Sequence, residues 1–245
     1  EIFRQAPADG YTLLMDGSSL WIGPLLKPMA YDAIRDFAPV TATERSLSML
    51  AVHSSVPAGS VKELIALANV RPGTLNYGTG ASGSLTHLAA ELFKSMAGIN
   101  ITHIPYKGGG EAVKAVLAGE VQLVISPAAT LMAHVKAGRL KGLGVGSLQP
   151  SPLAPGFPTV ASQGLPGFTL DFYQGLVVPI QTPVPIVRKL NHEIVRALTT
   201  EEMKERYRAN GYEVVANSPE EFSVLLKAEV AKWGAVIKAG GIKGD

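Results

Sequence analysis

The 245-residue chain has no cysteine, which removes disulfides, thiolate nucleophiles and cysteine-ligated zinc or iron–sulfur centres together. No apolar run approaches the roughly 18–20 residues of a membrane-spanning helix. The net charge is only +2, with no block of like charges and no basic stripe interleaved with aromatics, so nucleic acid is not an expected partner. The chain begins Glu1-Ile2-Phe3-Arg4, without Met and without the charged and apolar regions of a secretory signal. Something N-terminal is therefore expected to be absent. What is present is a hydrophobic fraction of 47% and a charged fraction of 17%, the balance of a globular protein rather than a disordered one. The length suits one large domain or two smaller ones.

Strand-like runs recur at Tyr11 to Met15, Leu47 to Val52, Thr74 to Tyr77, Asn100 to Ile104, Val121 to Ile125, Leu140 to Val145 and Phe172 to Val178. Helix-length apolar periodicities separate most of them, and several open on capping-box spacings: Ser60 with Glu63, Thr199 with Glu202, and Ser218 with Glu221 behind Pro219. Strand alternating with helix predicts an α/β fold with a parallel, doubly wound sheet. The last helix, about Pro219 to Ala239, carries Phe222, Leu225, Leu226, Val230, Trp233, Val236 and Ile237 as one apolar stripe. Its polar face mixes Lys and Glu, which favours packing on its own domain over a membrane surface.

Two strands run out into breaks, Leu47 to His53 into Ser54-Ser55-Val56-Pro57-Ala58-Gly59 and Phe172 to Pro179 into Thr182-Pro183-Val184-Pro185. Between them lies a strand–helix block long enough to fold by itself. The expected organisation is a two-lobed clamshell, with residues 1–55 and 173–245 as a discontinuous first lobe and 56–172 as the second.

Four loops share one pattern, in which a strand ends, small hydroxyl or glycine residues follow and a helix begins. They are Asp16-Gly17-Ser18-Ser19, Gly78 to Ser84, Lys107 to Gly110, and Ser126-Pro127-Ala128. Ligands of open α/β sheets sit at the carboxyl ends of strands, where glycine admits close backbone approach and helix N-termini favour anions. The Gly78 to Ser84 loop contains G-x-G-x-x-G, a dinucleotide fingerprint when complete. The acid that should close the following strand is missing, since that strand ends Pro105-Tyr106-Lys107. Lys107 leaves an NADP-dependent oxidoreductase as the enzyme alternative, while Gly108-Gly109-Gly110 lacks the Lys-Ser/Thr of a P-loop.

No G-x-S-x-G elbow is present. His87 and Glu91, one helical turn apart, form a candidate metal pair without a second histidine at ligand spacing, and a polar helix face is the simpler reading. No metal and no carboxylate pair for acid–base work is expected. Trp21 and Tyr173 stand beside candidate loops as ligand walls or core residues.

The runs Pro7 to Met15, Tyr31-Asp32 with Asp36-Phe37-Ala38-Pro39-Val40, Asn76-Tyr77-Gly78 through His87, and His103-Ile104-Pro105-Tyr106-Lys107-Gly108-Gly109 resemble the Bug family. Lys136 to Lys141, Phe157 to Val160 and Gly164 to Phe168 extend the likeness over nearly the whole chain. Bug proteins are the extracytoplasmic substrate-binding proteins of tripartite tricarboxylate transporters.

The resemblance implies a two-lobed type II periplasmic binding fold, each lobe a mainly parallel sheet flanked by helices, and a periplasmic, monomeric, non-enzymatic receptor without cofactor. It would hold a small organic carboxylate between its lobes and pass it to a membrane permease; a carboxylate-sensing module would share the fold. Carried over by position, the ligand contacts are Ser18 and Ser19 in the first lobe, and Thr79, Gly80, Ser82 and Ser84 with Gly108 and Gly109 in the second, with Tyr173 near the hinge. Family members normally begin with a strand and a glycine-rich loop, and this chain starts after them, with Glu1 to Ala6 as the end of the next helix. The place of Ser126 often carries aspartate in relatives. A plain carboxylate is therefore expected over an amino acid.

Overall fold

The computed structural model describes residues 2–243, which form two compact units. The first comprises residues 2–45 and 172–243, the second Ser46–Asp171.

The first unit opens with a single 3-10 turn at Ile2–Gln5, then β1 (Leu14–Gly17) and α1 (Ser18–Leu26). β2 (Phe37–His53) contributes its first half here. After the second unit come β7 (Asp171–Pro179), α6 (Val184–Leu198), α7 (Glu201–Ala209), β8 (Tyr212–Val214) and α8 (Pro219–Gly240). β7 lies between β1 and β2, and β8 pairs with β2. β1 runs antiparallel to β7 in the register Gly17↔Gln174. Ser218 and Glu221 complete a full capping box at the start of α8, which buries Phe222, Leu226, Trp233 and Ile237 and packs on α1 and α6. The apolar stripe thus serves its own unit. Asn217 ties three elements together: its Oδ1 accepts from Ala42 N–H at 2.8 Å, while its carbonyl accepts from Thr41 Oγ1 at 2.8 Å and from Asn191 Nδ2 at 2.9 Å.

The second unit contains the rest of β2, α2 (Val61–Val70), β3 (Asn76–Thr79), α3 (Leu85–Ala97), β4 (Thr102–Pro105), α4 (Gly109–Ala118), β5 (Leu123–Pro127), α5 (Ala128–Lys136) and β6 (Leu140–Val145). β3 pairs parallel with both β4 and β5, whereas β2 runs antiparallel to β5 and β6. The parallel sheet expected from strand–helix alternation therefore holds for β3, β4 and β5. Antiparallel pairing enters with β2 and with β1–β7, because antiparallel neighbours need no crossover helix and leave no helical signature. A core of Met49, Val113, Val116, Val124, Leu131 and Val145 fills the sheet–helix interface. Each such side chain contributes about 1.5–3 kcal/mol on burial.

One helix start differs from expectation. Thr200, not Thr199, caps α7 by accepting from Met203 N–H, and Thr199 Oγ1 instead donates to Val195 O at the end of α6. The turn between the two helices offers both hydroxyls, and spacing alone does not separate them.

Candidate functional site

In the second unit the parallel registers Thr79↔Pro105 and Gly78↔Val124 bring the carboxyl ends of β3, β4 and β5 to one sheet edge. The Gly78 loop leads from there into α3 and the Lys107 loop into α4. A β-carbon placed on Gly80 would stand 3.3 Å from Ser84 Oγ, 3.4 Å from Gly109 N and 3.6 Å from the Gly108 carbonyl carbon. The two glycine loops therefore lie in contact beside Gly80. Thr79, Gly80, Ser84, Gly108 and Gly109 are gathered in one place; Ser82 lies half-buried on the same loop, and Ser126 is buried at the end of β5.

The first turn of α4 suits an anion. No side chain caps it at Gly108, and nothing lies within 4 Å of a β-carbon built on Gly108, Gly109 or Gly110; Glu111 N–H is bonded to Gly108 O at 3.1 Å and Glu111 Oε2 accepts from Lys107 N–H at 3.3 Å, which leaves the Gly109 and Gly110 amides for a ligand. The helix dipole adds a partial positive charge there.

The Gly78 loop is organised differently, because its amides bond to the protein itself. Gly80 N–H donates to Thr86 Oγ1 at 3.0 Å, Ser84 N–H to Ala81 O at 2.9 Å, and Gly83 N–H to His87 Nδ1 at 3.0 Å. Gly83 has φ +77°, a conformation that glycine adopts without strain. Thr79 Oγ1 donates to Gly80 O at 2.8 Å and lies 2.6 Å from His103 Nε2. With the hydroxyl proton directed to Gly80 O, the bond to His103 is donated by Nε2–H.

The His103 ring stacks on His87 at 3.8 Å between centroids and 7° between planes, and on Tyr77 at 5.1 Å. Tyr77 OH donates to Glu91, which also accepts from Lys94 Nζ at 3.2 Å. Burial first, and the Glu91 carboxylate second, push the Tyr77 phenol far above its ordinary range. His87 and Glu91 are neither a polar helix face nor a metal pair: His87 is buried and engaged by the loop, and Glu91 belongs to Tyr77 and Lys94. Among the described residues no cluster of three or more His, Asp or Glu could hold a metal ion.

In the first unit, β1 hands the chain to α1 beside β7, so that a β-carbon on Gly17 would lie 3.3 Å from Tyr173 O. Ser18, Ser19 and Tyr173 are thus neighbours at the start of α1. Ser19 Oγ donates to Asp16 Oδ1 at 2.7 Å, and Gly17 N–H donates to the same oxygen at 2.6 Å. Ser18 is buried, and its Oγ has no partner among the described residues. Trp21 Nε1, one turn along the same face, is likewise buried without one. Of the two serines, Ser18 is the one with an uncommitted hydroxyl. Asp16, Thr86, His87 and His103 were not among the residues singled out as contacts, and only Asp16, within a named loop, carried a local signal for it.

Solved structures that superpose on the chain are periplasmic binding proteins, and the fold is the two-lobed α/β fold of that class. The family model described as "Tripartite tricarboxylate transporter family receptor" matches residues 1–242, and the chain belongs to that family. The protein BugT of Bordetella pertussis is 32% identical over 242 residues, covering 98% of this chain and 74% of BugT. The structure "R. palustris Rpa4515 with adipate" superposes with a TM-score of 0.87 at 34% identity over 99% of this chain and 82% of that one. MatC from Rhodopseudomonas palustris with bound malate gives a TM-score of 0.80 at 25% identity over 96% of this chain and 82% of MatC. The chain is thus a solute-binding receptor of the tricarboxylate-transporter type, among relatives that are binding proteins rather than enzymes. No helix among the described residues is long and apolar enough to cross a membrane.

Proposed function

We propose that this chain captures a small organic dicarboxylate in the periplasm and delivers it to a membrane permease, without catalysis. The observation that carries the reading is the contact of the two glycine loops at Gly80 and Gly109, beside the uncapped first turn of α4. One carboxylate of the ligand is held by the α4 amides with hydroxyls of the Gly78 loop. Adipate and malate, bound in similar proteins, support this ligand class. The oxidoreductase alternative is disfavoured because the Gly80 and Gly83 amides, which a pyrophosphate would need, already have partners at 3.0 Å.

Isothermal titration calorimetry with adipate, malate and NADP tests this. Binding of a dicarboxylate and none of NADP is expected, together with weaker binding of an α-amino acid than of its deaminated analogue, since Ser126 offers no charge to an ammonium group. Binding of NADP without any dicarboxylate would overturn the proposal.

A further inference from the structure

We propose that His87 is the positioning residue of the ligand loop, and that its neutral state is required for tight ligand capture. The inference rests on the carboxylate-binding reading above. His87 is the third residue of α3, and its Nδ1 accepts the Gly83 N–H at 3.0 Å in a buried setting. An imidazole nitrogen accepts only when unprotonated, so the ring carries its proton on Nε2. This bond fixes the one loop residue with positive φ, Gly83, between Ser82 and Ser84. His103, stacked 3.8 Å away, carries the constraint onward through Nε2 to Thr79 Oγ1 at 2.6 Å. Two histidines from α3 and β4 thereby hold both ends of the loop whose middle meets Gly109.

Protonation of His87 would undo this in two ways. It removes the acceptor for Gly83 and adds positive charge to the positive end of α3. The charged and titratable groups around the stack offer little relief. On α3 they are Glu91 and Lys94, which are bonded to each other; β3 presents Tyr77, whose hydroxyl is committed to Glu91; β4 presents His103 itself. With the loop released, the hydroxyls of Thr79, Ser82 and Ser84 no longer stand fixed beside the α4 amides.

The test is adipate affinity of the full chain from about pH 7.5 to about pH 4.5, a span that reaches well below the ordinary imidazole range near 6.5 because burial and the Gly83 bond both oppose protonation. Wild type is compared with His87→Asn, whose Oδ1 replaces the Nδ1 acceptor and does not titrate, and with His87→Leu, which has no acceptor. Wild-type affinity is expected to fall roughly threefold to tenfold more than that of H87N on acidification, as loss of one buried hydrogen bond implies. At the higher pH, H87L binds weakly and H87N restores most of the loss. The H87N profile carries the ligand's own titration, so equal pH slopes for wild type and H87N would overturn the proposal, as would H87L binding like wild type.

Should wild type bind no adipate at any pH, the functional reading fails separately, and amide exchange at Gly83 decides the positioning role. Gly83 protection lost in H87L and in acid, but kept in H87N, upholds it. Protection unchanged in H87L overturns it.

Discussion

Gly175 in the middle of β7 offers a sharp test of the packing described for the first unit. A β-carbon there would lie 2.3 Å from Phe222 Cζ, 2.8 Å from Phe222 Cε1 and 2.9 Å from Thr41 O. Phe222 is fully buried and meets Trp21 edge-on at 6.3 Å, and Thr41 O belongs to the backbone of β2, so neither side yields freely. Overpacking of this kind costs about 1–3 kcal/mol, against about 0.4–1 kcal/mol gained from a less flexible unfolded chain. The net loss of about 1–2 kcal/mol in Gly175→Ala corresponds to a melting temperature lowered by roughly 2–8 °C in a chain of this size. Differential scanning calorimetry reads it. Phe222→Leu removes the outer ring atoms, so the double variant G175A/F222L should be more stable than the sum of the singles by at least ~0.5 kcal/mol. A G175A protein melting at or above wild type, or a strictly additive double-mutant cycle, would show that Gly175 is not held by Phe222.

Two further outcomes follow from the same coordinates. Glu44 is buried on β2, and its pKa is raised, by burial first, with the Tyr207 hydroxyl only partly compensating. The folded state therefore keeps this proton longer than the unfolded one, and stability is lost as pH rises from the ordinary glutamate value of about 4.3 through the raised value. Denaturant unfolding should accordingly show wild type losing stability relative to Glu44→Gln as pH climbs from about 4 to about 7, and a relative gain would contradict the assignment. Gly80→Ala crowds Ser84 Oγ by a few tenths of an ångström and fills the contact with Gly109, and adipate affinity measured by calorimetry should drop roughly threefold to tenfold, about one hydrogen bond's worth. Unchanged affinity would detach the loop contact from binding.

The strands of the second unit were legible because apolar runs bounded by glycine and proline mark β3, β5 and β6 closely. The first half of β2 was not. Thr41, Thr43, Glu44 and Ser46 are buried in it, and a run of polar residues reads as loop when its partners, such as Asn217, lie some 175 positions away. β8 has only three residues and presents no run at all. The two glycine loops stood out by motif, and parallel strand order alone implies that they share an edge. The loop-holding part of the histidines did not show in the sequence, for a physical reason. The role of His87 depends on the positive φ of Gly83 four residues earlier, and that of His103 on strand pairing that sets Tyr77 opposite it.

The two loops therefore divide a labour that the bare G-x-G-x-x-G pattern does not distinguish. In the Gly78 loop the Gly80, Gly83 and Ser84 amides are bonded internally, and the Thr79 and Ser84 hydroxyls have partners within the protein as well, so that loop is organised by its own hydrogen bonds. In the Lys107 loop three consecutive glycines leave the first turn of α4 uncovered, so that loop presents amides and a dipole. Open amides on one loop beside a loop fixed by its own hydrogen bonds suit a carboxylate, whose charge is modest and whose two oxygens each take a few donors. A pyrophosphate would instead need amides from both loops at once. The same glycine count in the sequence thus suits opposite ligands, and the hydrogen-bond partners of Gly80 and Gly83 weigh against a pyrophosphate.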